Sequence, residues 1–376
     1  IHQAIERSKE AKNLVHLGQH KDLDIYTSAQ VLEKERRIVE IMKNGLNEVD
    51  AIVSKEAMAL YLEDLVRRSP EGGKPTNCQL KAIEFLGTST NRIIGVQGYA
   101  GTGKTTMLNA ICRLAEASDY QIRGASPGAS AADVLRGETG IKTETLSSLL
   151  LELEKEKHRK DFDLLLDHER PQKPEIIILD EASMASTNQM LNLLEQVEAQ
   201  NKILFLVGDR YQLPSVEAGS PYGLMQDADL PFVTMEQVVR QEALDLKAAV
   251  NETIAGNVGY AFEAISSEEF IQRNSDGEAL WSPESTIHEI SNKDDRLKAI
   301  SEAYLNLDAK GRDETIVLLG SNEDRQTVNS AIREGLKSQG VISGPEAECL
   351  ILKPKDMTAI ERTHIFNYEV GDIVRF

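Results

Sequence analysis

The run Gly98-Tyr99-Ala100-Gly101-Thr102-Gly103-Lys104-Thr105 sets glycines, a lysine and a hydroxyl in the full pattern G-x-x-x-x-G-K-[ST]. This arrangement suits a chain of phosphates. Glycines let the backbone wrap closely with its N–H groups turned inward, and a helix opening at the end of the loop adds the positive end of its dipole. Lys104 brings a mobile positive charge to the β- and γ-phosphates. Thr105 offers a hydroxyl to Mg²⁺, an ion that keeps several waters and takes few protein ligands. Gly98, Ala100, Gly101, Thr102, Gly103, Lys104, Thr105 and Thr106 are therefore the expected contacts of ATP with Mg²⁺. The apolar run Ile93–Val96 precedes the loop. Met107, Leu108, Ile111, Leu114 and Ala115 follow it at helical spacing, which is the strand–loop–helix setting the motif requires.

Asp180-Glu181 ends a second apolar run, Ile176–Leu179. A carboxylate at the end of a buried strand is costly unless it has a partner or a task. The division of labour expected is Asp180 on the Mg²⁺ shell and Glu181 orienting and deprotonating the attacking water. Phosphoryl transfer needs chiefly such positioning and charge stabilisation. A third run, Ile203–Val207, leads into Gly208-Asp209-Arg210-Tyr211-Gln212-Leu213-Pro214-Ser215-Val216, where the uncharged Gln212 can report the γ-phosphate by hydrogen bonding. Arg240, in Arg240-Gln241 beyond a boundary near Met235, is placed to reach the same phosphate from a second lobe.

The elements that must position these groups read as α/β. Four near-continuous Ile/Val/Leu runs (Ile93–Val96, Ile176–Leu179, Ile203–Val207 and Ile316–Leu319) alternate with helical segments, as in a parallel sheet buried on both faces. Ligands gather outside the carboxyl ends of such strands. Residues 1–73 read as a helical N-terminal domain: Thr27-Ser28-Ala29-Gln30 fits a capping box, Gly45 a stop, and a second helix is expected around Lys55–Arg68. Ser69-Pro70-Glu71-Gly72-Gly73-Lys74-Pro75 reads as a linker. The expected division is then 74–235 as the ATPase domain, with a charged insertion at about 152–172, and 236–345 as a partial second lobe. The insertion reads as a solvated helix and loop or as a contact to nucleic acid.

The net charge of −19 argues against strong non-specific nucleic-acid binding, although screening leaves room for a local basic channel. No stretch of about 18 apolar residues suggests a membrane span. No apolar leader opens the chain, which begins at Ile1 and reads as an excised or processed piece. Cys78, Cys112 and Cys349 lack metal-type spacing, and Cys112 falls in an apolar helical pattern; a reducing, cytoplasmic setting is expected. Tyr99, Tyr211 and Tyr222 are the aromatics available for stacking on a single strand.

Together the ordered signature (Gln79, then GYAGTGKT, DEASM, GDRYQLPSV and VVRQ, from Pro75 to Gln241) resembles superfamily 1 helicases of the RecD-like branch. The C-terminal Ser321-Asn322-Glu323-Asp324-Arg325, with Asn329, Ile332-Arg333 and Tyr368 to Phe376, is similar to the helicase part of TraI/TrwC-type conjugative relaxases. The resemblance implies a P-loop NTPase with a RecA-like parallel sheet and residues 346–376 as the start of an inserted β-barrel. It implies that Gln79 recognises adenine, and that Ser126-Pro127 and Thr145 contact single-stranded DNA. The family has Pro-Thr where this chain has Pro127-Gly128, which removes one hydroxyl donor. The implied function is a 5′→3′ DNA helicase motor of a conjugative relaxase, with single-stranded DNA and other conjugative DNA-processing proteins as partners. A RecD-like repair helicase and a non-catalytic DNA-binding or recruitment module are the alternatives. A nucleotide kinase fits less well, because Asp180-Glu181 with Gln212 favours water as the acceptor.

Overall fold

The computed structural model describes residues 14–20, 23–70, 73–165, 173–212, 215, 219–239, 244–266, 290–344, 365–369 and 371–374. The chain divides into two compact units, residues 1–286 and 287–376.

The first unit is built on a six-stranded, wholly parallel sheet. Its strands are β3 (Ile93–Gly98), β4 (Gln121–Ser126), β5 (Lys142–Thr145), β6 (Glu175–Leu179), β7 (Ile203–Gly208) and β8 (Phe232–Met235), in the order β5-β4-β6-β7-β3-β8. Because successive side chains of a strand face opposite ways, the apolar runs split cleanly between two cores. Ile94, Val96, Ile176, Ile178, Phe205 and Val207 lie in one. Ile93, Ile177, Leu179, Leu204 and Leu206 lie in the other.

Helices cover both faces. The first core takes buried residues from α2 (Lys55–Arg68), α3 (Asn77–Thr88) and α4 (Lys104–Ala117). Cys112 of α4 is buried there, and burial pushes its thiol up to about 12. The second core takes residues from α1 (Ala29–Asn44), α6 (Leu146–Leu165) and α7 (Thr187–Ala199), and from α8 (Pro221–Asp227). Between β4 and β5 runs α5 (Ala129–Thr139). All strands being parallel, the loops after β3, β6 and β7 emerge at one edge, where the order of the strands departs from the order of the chain.

The N-terminal region differs from an all-helical reading. Leu14–His20 (β1) and Leu23–Ser28 (β2) pair antiparallel, with a bulge between His16 and Gly18. The helix cap falls on Ser28, whose Oγ accepts the Val31 N–H at 3.1 Å, one residue later than the box expected at Thr27. Ile38, Ile41 and Met42 of α1 and Met58 of α2 are buried in the two cores of the sheet. The linker at 69–75 therefore joins elements that share cores. A short helical hairpin, α9 (Leu244–Ile254) and α10 (Val258–Ser266), ends the described part of the unit and packs through Ala249, Ala261 and Ala264.

The second unit contains α11 (Lys293–Leu305), α12 (Ala309–Glu314) and α13 (Asn322–Ser338). α11 and α13 pack together, with Gly335 giving room to Leu305. The strand expected at Ile316–Leu319 does not form. The segment is neither helix nor strand, and Ile316 and Leu318 are 82% and 85% exposed. An apolar run becomes a buried strand only when neighbours pair with it, and among the described residues of this unit none is in a strand. The expected 236–345 lobe falls across the division between the units, and residues 345–364, where the barrel was expected to begin, lie outside the described residues.

Candidate functional site

The loop 99–103 leaves β3 at the sheet's carboxyl edge and enters α4. Gly101 and Gly103 have φ of 78° and 75°, the left-handed region where glycine is favoured. Gly103 is the N-cap of α4 and supplies no side-chain cap, so the first-turn N–H groups remain available to an anion. Lys104 Nζ donates to Gly98 O at 2.8 Å, which folds the lysine back over the loop. Thr102 Oγ1 donates to Tyr99 O at 2.8 Å. Outside the loop, Val239 N–H donates to Gly101 O at 2.8 Å and Tyr99 N–H to Met235 O at 3.3 Å.

Gln79 braces this loop from α3. Its Nε2 donates to Thr102 O at 3.3 Å and Gly103 O at 3.1 Å, while its Oε1 accepts the Thr76 N–H at 2.8 Å in a capping box. The amide expected to read adenine thus spends both ends on protein backbone.

Asp180 and Glu181 follow β6 at the same edge. Asp180 N–H donates to Ala125 O at 2.9 Å, and Asp180 Oδ1 accepts the Glu181 N–H at 3.0 Å. Burial first, and then the charge of Glu181, raise the Asp180 carboxyl to about 6; the Glu181 N–H and the Lys104 ammonium act in the opposite sense. Glu181 has φ 53° and ψ 42°, a left-handed conformation for a non-glycine residue, and it opens the tight turn Ala182–Met184. Gly208 lies against that turn: a Cβ there would come within 3.0 Å of Ala182 N and 3.1 Å of Ser183 N. Glu181 Oε2 is buried with no hydrogen-bond partner. Two clustered acids, one held by a single backbone N–H and one with an unpartnered buried oxygen, fit a hard cation.

The segment Asp209–Gln212 turns back on itself after β7. Asp209 Oδ1 accepts the Tyr211 N–H at 3.1 Å, Asp209 O accepts the Gln212 N–H at 3.1 Å, and Gln212 Nε2 donates to Asp209 Oδ2 at 3.4 Å. Tyr211, 72% exposed, lies near-parallel to Tyr99 of the phosphate loop with ring centroids 6.1 Å apart. Arg210 stands over Tyr211 and forms a two-point ion pair with Asp227 at 2.8 and 3.1 Å. Tyr222, by contrast, is fully buried in the core, so it offers no ring to a strand of nucleic acid.

Ser126 and Thr145 are register partners at the carboxyl ends of β4 and β5, so the structure brings them side by side. Ser126 is buried and its Oγ has no partner; Thr145 Oγ1 accepts the Ser148 N–H at 3.3 Å. Pro127 is half-buried beside them. Arg240 and residues 166–172 lie outside the described residues. The first part of the charged stretch continues α6 and packs inward through Leu153. Its Glu156 accepts Arg123 Nη1 and Nη2 at 2.8 and 3.0 Å, and Glu175 pairs with both Arg123 and Lys202. That charge is therefore spent in part on a half-buried ion cluster.

Gln97 escaped the sequence reading. It is the polar residue of β3, lying between the apolar run Ile93–Val96 and Gly98, and its place within a buried strand was the available signal.

Residues 75–276 match the AAA domain family. The probable conjugal transfer protein TraA of Sinorhizobium fredii is 35% identical over 181 residues, 48% of this chain and 15% of that protein. The multifunctional conjugation protein TraI of Escherichia coli is 24% identical over 347 residues, 84% of this chain and 19% of that protein. The ATP-dependent RecD2 DNA helicase of Deinococcus radiodurans is 34% identical over 153 residues, 41% of this chain and 20% of that protein. The chain spans at most 20% of the length of each of these three relatives.

Proposed function

The chain belongs to the AAA domain family and is a superfamily 1 helicase-like P-loop domain related to the TraI/TraA conjugation proteins and RecD helicases, and on that premise we propose that it is the ATP-driven, single-strand-translocating motor part of a conjugative DNA-processing protein. The observation that carries this reading is the convergence, at one sheet edge, of the uncapped α4 terminus with Lys104, the half-buried Asp180–Glu181 pair and the Gln212 turn.

In this reading the loop N–H groups and Lys104 hold the phosphate chain. Lys104 exchanges its bond to Gly98 O for one to a phosphate oxygen by rotation about its flexible stem. Thr105 and Asp180 would hold Mg²⁺, which supplies charge neutralisation on the β- and γ-phosphate oxygens. Glu181 orients the attacking water and accepts its proton. Gln212 donates its amide to the γ-phosphate, and Arg240 completes the charge cradle. Gln79 acts first as a brace of the loop and so fixes the spacing of its N–H groups. The strand of DNA passes over Ser126, Pro127 and Thr145, and the 5′→3′ direction is carried over from the helicase family that the ordered motifs resemble. The unaltered Lys104, Asp180 and Glu181 favour a working motor over a recruitment module.

The test is titration of the full chain with ATP and Mg²⁺. Lys104→Ala is expected to weaken binding by about tenfold to a hundredfold, the value of one charge-assisted phosphate contact. Equal affinity in the wild type and the variant would remove the phosphate site and the proposal with it.

A further inference from the structure

Gln97 sits in β3 immediately before Gly98, the residue whose carbonyl holds Lys104. It is 3% exposed, so its amide has to find partners within the protein. It finds them in the turn after the neighbouring strand. Gln97 Nε2 donates to Asp209 Oδ1 at 2.7 Å, and Gln97 Oε1 accepts the Arg210 N–H at 3.1 Å. The same oxygen accepts Gln226 Nε2 of α8 at 3.2 Å. Asp209, 4% exposed, in turn holds the Tyr211 N–H and the Gln212 side-chain amide. On the other side of Gly98, Tyr99 lies against Tyr211. The turn 209–212 is thus tied to the P-loop strand on both flanks of one glycine.

The geometry points to Gln97 as a positioning residue: it sets the turn 209–212, and through Asp209 the Gln212 amide, against the phosphate loop. This rests on the reading of Gln212 as the group that senses the γ-phosphate. A buried amide that merely filled space would show no link between its identity and recognition of the third phosphate.

The experiment uses the full chain and two probes with Mg²⁺, ADP and the non-hydrolysable analogue adenylyl-imidodiphosphate, titrated calorimetrically. The wild type is expected to prefer the triphosphate analogue, and Gln212→Ala to remove that preference. Gln97→Glu sets a second carboxylate against Asp209 and is expected to cut the preference about tenfold while ADP affinity holds. If Gln97→Glu does not fold, Gln97→Asn shortens the same amide without adding charge and is expected to move the preference in the same direction. A lowered preference in Gln212→Ala with an unchanged one in the Gln97 variant overturns the role of Gln97. Wild-type protein that binds neither probe overturns the phosphate site itself, a result distinct from the first.

Discussion

Asp180 illustrates how a residue of the candidate site is held at a cost to the fold. Its carboxyl lies at about 6 instead of the ordinary 3.8, because burial and the neighbouring Glu181 disfavour the ionised form. A carboxyl raised on folding contributes stability that is fully present below its unfolded value and is lost as pH rises through the folded value. At about pH 7 the ionised group therefore costs on the order of 2–3 kcal/mol relative to the unfolded chain. Asp180→Asn is expected to raise the melting temperature at about pH 7 in the absence of divalent cations, and to change it little near pH 4. A melting temperature that falls at neutral pH would contradict this account. The residues that gather at the candidate site were largely legible in the sequence as a group, since glycine spacing, Lys104 and the strand-end acids are one-dimensional signals. The use of Gln79 as a brace and the tie between Gln97 and Asp209 were not, because each depends on which strand or helix lies alongside, and that information is absent from the local sequence.

At the scale of elements, β3, β6 and β7 were visible as apolar runs because each is buried on both faces and needs no polar alternation. β5 (Lys-Thr-Glu-Thr) and β8 were not, since they are four-residue edge strands whose pattern is too short to show a period. Ile316–Leu319 shows the converse: the same kind of run stays exposed where no strand pairs with it. The charged stretch of α6 was ambiguous for a different reason. Its Glu156 faces Arg123 of β4, with Glu175 and Lys202 completing the cluster, so that charge tethers a helix to the sheet. Burial opposes ionisation of Glu156, but the Arg123 and Lys202 charges outweigh it and hold the carboxyl below its usual range. Arg123→Met leaves Glu156 and Glu175 short of their main counter-charge. It is expected to cost about 3 kcal/mol, read from the urea midpoint at unchanged slope. A variant within about 0.5 kcal/mol of wild type would mean that the apolar contacts of α6, such as Leu153, carry the tether alone.

At the scale of the whole molecule, the charge of −19 has to be reconciled with the proposed grip on a single strand of DNA. The candidate contacts Ser126, Pro127 and Thr145 are uncharged, and they sit at the carboxyl ends of β4 and β5, where backbone N–H groups and the Thr145 hydroxyl are the available donors. Such a grip has little long-range attraction to draw on. If lysines and arginines of the chain neutralise about three or four phosphates, counterion release at about 0.7 per phosphate predicts that affinity falls about thirtyfold between roughly 50 and 200 mM salt. Fluorescence anisotropy of a labelled single strand against the full chain measures this slope. The salt dependence should accompany weak binding, since an acidic molecule repels the phosphate backbone at distances beyond a few contacts. Binding that is tight and indifferent to salt would require recognition of bases by stacking. In the described structure that role would fall to Tyr211, whose exposed ring stands beside the phosphate loop. Tyr211→Ala would then abolish the binding, whereas the backbone-tracking reading expects it to change affinity by less than about threefold.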